Sequence, residues 1–396
     1  MIPSRRVKLA QRMGKIGESG TLRVSRLAAE LKARGQDVLD LGAGEPDFRS
    51  PRVAVEAACQ ALSDGFTKYT DAGGIAALKQ AKAAELAARY GAPWSGKDGL
   101  ITVGAKMALF QLAQVLFEEG SEVIIPSPCW VSFPEQVKLA GAEPVLVPTS
   151  GQDGFRIHAE PILAAITPRT RALLVNSPTN PTGGVIERED LERLVAACAE
   201  RGILYLSDET YDRFVYPGTS FASAASLAGR YPDTVVLVGS FSKTFAMTGW
   251  RLGFLFGPSP LIKAVATLQG HSTSNPTSFA MKGAVAALEG AEADVEAMIE
   301  EYRLRRDLLT AGLSRLPGFR CQPPSGSFYA FPEVAGCYRP GREGSVEFCE
   351  FLLSEAGVAV VPGAAFGDDR HIRISFACSR ATLESALERI GKVLSP

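Results

Sequence analysis

RALLVNSPTNPTGGVIEREDLERLVAACAERGILYLSDETY, residues 171–211, holds two short β-rich runs, RALLVN (171–176) and ILYLSD (203–208), joined by a helical stretch at 187–201. Two strands separated by one helix form a parallel pair, because the helix carries the chain back along the sheet before the next strand begins. The same rhythm extends both ways. Before it come LITV near 100–103, a helix at 105–117, EVIIP (122–126), a helix at 131–139 and EPVLVP (143–148); after it come TVVLVGS (234–240) and RLGFLFG (251–257). This predicts an α/β centre, a mostly parallel sheet with helices on both faces. Further out, 22–34, 53–63 and 75–90 read as helices and VLDLG (38–42) as a short strand. A charged helical stretch at 291–315 ends the rhythm. SFYAFPEV, a helix at 345–356, VAVVPG, HIRISFA and a last helix at 382–394 then read as an α+β unit against which the N-terminal segment can pack.

The chain has 396 residues, enough for two cores, and 46% hydrophobic against 21% charged content describes a soluble globular protein. A formal charge of −1 supplies no positive field for a phosphate backbone, so nucleic acid is not an expected partner. The local excess of Arg5, Arg6, Lys8, Arg12 and Lys15 reads as a solvated arm. It lacks the apolar run of a secretory signal, and the expected location is the cytoplasm. Seven scattered cysteines without a Cys-x-x-Cys pair read as reduced thiols. The 3 histidines show no metal-ligand spacing, and no apolar run is long enough to span a membrane. No G-x-G-x-x-G opens a helix after an early strand, which excludes a dinucleotide fingerprint.

In open α/β sheets ligands collect beyond the carboxyl ends of the strands, so polar residues there decide the chemistry. RALLVN runs into NSPTNPTGG (176–184), YLSD into Asp208-Glu209-Thr210-Tyr211, VVLVG into Ser240-Phe241-Ser242-Lys243, and TV into Gly104-Ala105-Lys106 at a helix start. Asp208 at the edge of a buried strand needs a cationic or proton-bearing partner, or else serves as a cap or salt bridge. Lys243, in the uncharged window GSFSKTFAMTGW, is either a lysine of lowered pKa or a snorkelling or phosphate-contacting one. Ser240, Ser242, Thr244, Thr248 and Arg251 make a phosphate-sized cradle with nearby amides. Trp130 in SPCWVSF is a stacking face or a core aromatic. A lysine, a strand-end carboxylate and an anion cradle together suggest a phosphorylated cofactor held as a Schiff base, with the carboxylate facing a protonated pyridine nitrogen.

These residues resemble the fold-type I pyridoxal-phosphate aminotransferases of the aspartate aminotransferase class, bacterial branch. LDLGAGEPDF, FTKYTDAGG, VGAKMALF, SPCWVSFPEQV, NSPTNPTGG, YLSDETY, SFSKTFAMTGWRLGF, HSTSNPTS and HIRISFA occur in the family's order over most of the chain. The resemblance implies a large cofactor domain at 49–295 and a small discontinuous domain of 1–48 and 296–396. It makes Lys243 the Schiff-base lysine and proton carrier, Asp208 the partner of the pyridinium nitrogen, and Tyr211 and Asn180 the holders of the phenolic oxygen. Trp130 would stack on the ring. The backbone at Gly104, Ala105 and Lys106, with Ser240, Ser242 and Arg251, would hold the phosphate, joined by Tyr69 of a neighbouring subunit, which implies a homodimer with shared sites. Arg373, helped by Gly44 and Asn180, would clamp the substrate α-carboxylate.

The implied reaction passes an amino group between an L-amino acid and a 2-oxo acid, here aspartate and an acceptor such as 2-oxoglutarate. In this branch a lysine matching Lys106 binds the distal carboxylate, and Ser272 to Asn275 resemble the partner-side loop. Aromatic amino acids, prephenate or another amino acid are the alternative substrates. KIGESGTLRV (15–24) departs from the branch's Lys-Pro-Ser pattern, with Gly17 and Glu18 where lysine and proline would stand, which weighs against prephenate. A lyase or decarboxylase would use the same lysine and phosphate site, whereas a non-enzymatic descendant is expected to lose Lys243 or Asp208. His271 is placed at the substrate mouth or, like His371 and Cys129, has a structural role.

Overall fold

The computed structural model describes residues 8–17 and 20–395. Arg5, Arg6 and Glu18 lie outside the described residues; Lys8, Arg12 and Lys15 are exposed. β1 (Leu39–Asp40) precedes a seven-stranded sheet of β2 (Gly99–Thr102), β3 (Glu122–Ser127), β4 (Glu143–Pro148), β5 (Thr170–Asn176), β6 (Leu204–Asp208), β7 (Val235–Ser240) and β8 (Gly253–Phe256). Their order is β2-β8-β7-β6-β5-β3-β4, and every pairing is parallel except the two made by β8. The chain steps outward from β3 to edge strand β4, then returns to β5 on the other side of β3 and continues the opposite way. A crevice over the carboxyl ends follows from that reversal.

Alternation along the strands explains why the runs are almost wholly apolar. Val123, Ile125, Ala172, Leu174, Val236 and Val238 join one core with the helices Ala105–Leu116 and Ser259–Ser272. Ile124, Leu173, Val175 and Val235 point the other way, into a core with the helix Arg188–Arg201. Both faces are covered, so neither can be polar. RLGFLFG begins as a strand only at Gly253, because Arg251 takes a left-handed φ of 56° and turns the chain.

The longer helices that the sequence reading does not name are Ser259–Ser272 and Ser278–Gly290; the short Ala159–Ala164 and Phe241–Thr244 are not named either. The helix Ser278–Gly290 is rich in alanine and glycine and packs closely on the helix Arg52–Ser63. A Cβ on Gly283 would lie 2.5 Å from the Trp250 ring and 2.7 Å from the Ala54 carbonyl. Small residues there serve close approach, so they carry little amphipathic signal.

The smaller α+β domain joins both ends of the chain. β1 pairs in parallel with β10 (Val358–Ala359), while β9 (Tyr329–Ala330), β11 (Val361–Pro362) and β12 (Ile372–Ser375) form a second sheet ordered β11-β12-β9. The helix Gly20–Ala33 packs through Val24, Ala28 and Leu31 on Ala359 and Leu353. The long helix Glu292–Leu313 connects the two domains. Val295 belongs to a large-domain core and Met298, one turn later, to the small-domain core. Among the described residues no helix is long and apolar enough to cross a membrane. All seven cysteines are unpaired thiols.

Candidate active site

Asn176, Asp208 and Ser240 end β5, β6 and β7, with Asn176 paired directly to Asp208. Over these ends lies a cavity of about 480 Å³ between the domains. Its wall brings together Lys243, Asp208, Tyr211, Asn180, Trp130, Ala105, Lys106, Ser240, Ser242, Arg251, Gly44 and Arg373. Sequence segments up to 331 residues apart meet there, as in the hydrogen bond from Arg373 to Gly42.

Lys243 stands on a single helical turn, Phe241–Thr244, started by the Ser240 hydroxyl, which accepts the Ser242 N–H at 2.9 Å. Its Nζ donates to the Gly44 carbonyl at 2.6 Å. Loss of hydration pulls its amine from the ordinary 10.5 down to about 8; Arg251, Arg373 and Lys106 act in the same direction and Glu45 opposes them.

Asp208 is buried, and burial raises its carboxyl from 3.8 to about 6. Its Oδ1 accepts the Thr210 N–H at 3.0 Å, an Asx turn, and among the described residues no cation pairs with it. No helix begins directly after Asp208, so it forms an Asx turn and not a helix cap. Tyr211 meets Tyr329 hydroxyl to hydroxyl at 3.1 Å, and burial pushes its phenol well above the usual range.

Arg373 on β12 is 2% exposed. It donates to Asn180 Oδ1 at 3.0 Å and to the Gly42 carbonyl at 2.7 Å, and lies 4.4 Å over the Tyr329 ring. Its Nε has no partner among the described residues. A buried guanidinium without a carboxylate beside it is a ready receptor for one.

The anion cradle is partly rearranged from the sequence expectation. Ala105 and Lys106 open the helix Ala105–Leu116, so their N–H groups lie beyond intrahelical acceptors. The Gly104 N–H, in contrast, is donated to the Thr102 carbonyl at 2.8 Å. Gly104 does not line the cavity; its φ is 77°, and a Cβ there would sit 2.6 Å from Arg251 Nη2. Thr248 lines the cavity and donates to Glu45 at 2.7 Å, whereas Thr244 is buried and does not. Trp130 lines the cavity while its ring edge packs on Phe133, and Lys106 Nζ lies 4.8 Å over it.

Tyr69 is not brought into this cavity; its side chain is 90% exposed. His271, at the exposed end of its helix, and Ser272 to Asn275 are also outside it. Cys129 is buried in a core cluster, which pushes its thiol up to about 12 and makes it a filler. Sequence reasoning gave no role to Asn176, Tyr329, Thr210 or Glu45, all of which line the cavity. Tyr329 had no local signal, since its partner Tyr211 is 118 residues away.

The sequence profile described as "Aminotransferase class I and II" matches residues 36–390. The chain belongs to that family. It is a pyridoxal-phosphate-dependent aminotransferase of fold type I, aspartate aminotransferase branch. It is similar to the aspartate aminotransferase of Geobacillus stearothermophilus, 44% identical over 394 residues that cover 98% of this chain and 99% of that one. It is also similar to the aspartate/prephenate aminotransferase of Thermus thermophilus, 42% identical over 390 residues and 98% of each chain. The solved aspartate aminotransferase from Thermus thermophilus with maleate superposes with a TM-score of 0.93 at 41% identity, over 98% of this chain and all of that one.

Proposed function

We propose that this aminotransferase moves the amino group of aspartate to a 2-oxo acid such as 2-oxoglutarate, and that the cavity residues hold pyridoxal phosphate. The carrying observation is the arrangement of one wall: a lysine of lowered pKa and, among the described residues, a buried carboxyl without a protein cation and a buried arginine without an ion-paired carboxylate. The donor set fits the cofactor. Asp208 suits its ring nitrogen, Trp130 its face, Asn180 and Tyr211 its phenolic oxygen, and the Ala105 and Lys106 amides with Ser240, Ser242 and Arg251 its phosphate.

When bound, the cofactor supplies a ring that draws negative charge away from the substrate α-carbon. Arg373 and Asn180 hold the α-carboxylate and so decide which α-carbon bond faces that ring. Lys243 Nζ takes the α-proton and returns it at the other end of the transfer; an amine pKa near the working pH suits both directions. Asp208 holds its proton-bearing partner in a site where burial strengthens the pairing.

The neutral amine of Lys243 is half populated near pH 8 in the cofactor-free protein. Its capture by pyridoxal phosphate, followed by absorbance, is expected to accelerate from pH 6.5 to 8 and level off above 9. A rise continuing to pH 10.5 would contradict the lowered pKa.

Aspartate is favoured by Lys106, which forms no ion pair among the described residues and sits above Trp130 at the cavity wall. Desolvation and Arg251 both lower its pKa, so a distal carboxylate would relieve the crowding of positive charge. In a panel of aspartate, glutamate, tyrosine, phenylalanine, alanine and kynurenine, aspartate is expected to lead, with stoichiometric oxo-acid formation. Lys106→Ala is expected to lower kcat/KM for aspartate about 10-fold to 10²-fold, in the range of a lost charged contact, and to leave alanine little changed. Equal losses for both donors would reject the role, and release of ammonia or carbon dioxide in place of oxo acid would reject transamination.

The shared-site homodimer belongs to the same proposal. Val55, Leu62 and Tyr69 are exposed large side chains at 41%, 44% and 90%, on the helix Arg52–Ser63 and the loop that follows it. A partner covering them would bring Tyr69 to the partner's phosphate site. The unpaired thiols agree with a cytoplasmic location.

A further inference from the structure

Asn176 ends β5 at the cavity wall and is 6% exposed. Its Oδ1 accepts the Asn180 backbone N–H at 2.9 Å, and its Nδ2 donates to the Asp208 carbonyl at 3.0 Å. The two contacts fix the amide's orientation, since an N–H must meet the oxygen and a carbonyl must meet the nitrogen. Its own carbonyl accepts the Thr179 hydroxyl at 2.8 Å, and the Ser177 N–H reaches the same Asp208 carbonyl at 3.1 Å. One side chain therefore ties the 176–184 loop to the end of β6.

The chain of contacts continues. Asn180 Oδ1 accepts from Arg373, which leaves the Asn180 Nδ2 hydrogens for a ligand in the cavity. The Asp208 backbone, the Asn176 amide, Asn180 and Arg373 thus form a connected path from the end of β6 to the buried guanidinium. Asn176 is the member whose side-chain amide bonds backbone at both its oxygen and its nitrogen.

We propose that Asn176 is a positioning residue: it sets Asn180 and, through it, Arg373 relative to Asp208, so that cofactor and substrate α-carboxylate are held in one register. This rests on the pyridoxal-phosphate reading of the site. Truncation leaves the Asn180 N–H without its acceptor and takes from the Asp208 carbonyl one of its two donors, the Ser177 N–H remaining.

Asn176→Ala and Asn176→Asp, both loaded with cofactor, test it. A misplacement of the order of 1 Å costs about 10²-fold in kcat/KM, and Asn176→Ala is expected to lose that much for aspartate. It is also expected to bind succinate, a non-reacting dicarboxylate, at least about 10-fold more weakly, because Arg373 loses its register. The pH midpoint of the bound cofactor's visible absorption is expected to move, as Asn180 no longer faces the phenolic oxygen. Asn176→Asp keeps the acceptor for Asn180 and removes the donor to Asp208. It is expected to bind succinate more tightly than the alanine variant, and it carries the test if that variant does not fold.

Wild-type succinate affinity and an unmoved absorption midpoint in a folded variant would overturn the proposal. Lys243→Ala run alongside separates the two readings. If it still transaminates, the assignment of the site fails; if it is dead while the Asn176 variants match wild type, only the positioning role fails.

Discussion

Lys243→Ala is expected to abolish transamination and the visible absorption of the lysine-bound cofactor together. The side chain combines two duties. It is the cavity amine brought down to about 8 by desolvation, and it is placed by a capped helical turn against the Gly44 carbonyl. General acid–base catalysis by a positioned group contributes about 10²- to 10⁴-fold, and loss of the covalent attachment adds to that, so a fall of at least about 10⁴-fold in kcat is expected. Single-turnover spectra with aspartate measure it. The fold should persist, because the turn is held by Ser240 and by the Leu252 carbonyl accepting the Phe241 N–H at 3.2 Å, neither of which involves the amine. Transamination above one per cent of wild type would remove Lys243 from its role.

Asp208→Asn is expected to cut turnover about 10²- to 10³-fold, the scale on which a lost electrostatic stabiliser acts, while making the cofactor-free protein more stable at neutral pH. The sign follows from its carboxyl. Its pKa is raised from 3.8 to about 6 in the fold, so between those values the folded state binds more protons than the unfolded one. Stability is therefore lost as pH rises through that window, and above about pH 6 the ionised, unpartnered carboxylate costs up to about 3 kcal/mol. Asparagine keeps the oxygen that accepts from Thr210 and has no charge to bury. Urea unfolding of cofactor-free protein at pH 5 and pH 7.5 tests this: the parent should lose more stability across the interval than the variant, in which buried Glu209, raised from 4.5 to about 8, still contributes a loss of the same sign. Equal pH dependence in both would show that Asp208 already has a cationic partner in the protein.

A stability gain coupled to an activity loss would also explain why an unpaired carboxylate persists at the end of a buried strand. On the proposed function it would be a cost carried at the site for the sake of its ligand.

The architecture was legible because both-face burial writes itself into sequence. β5, β6 and β7 cannot be polar, so RALLVN, ILYLSD and TVVLVGS stood out, and the change to polar residues at their ends marked Asp208 and Ser240. The helix Ser278–Gly290 was not legible, since its glycine and alanine are there for contact with Trp250 and the helix Arg52–Ser63. The parts of the site that stayed hidden have polar partners far along the chain. Tyr329 matters because Tyr211 reaches it, and Asn176 because it faces Asn180 on one side and Asp208 on the other.

By itself, the sequence determined the sheet, the strand ends and the residue types that end them, because each follows from burial and periodicity within a few residues. Only the tertiary structure decided that the Gly104 N–H turns to Thr102 while its bare Cα lies against Arg251, and that Tyr69 stays outside its own chain's cavity. It alone placed Arg373 against Asn180 across 193 residues. Donor direction and the meeting of distant side chains depend on how the two domains close over one another, and no local run of residues encodes that.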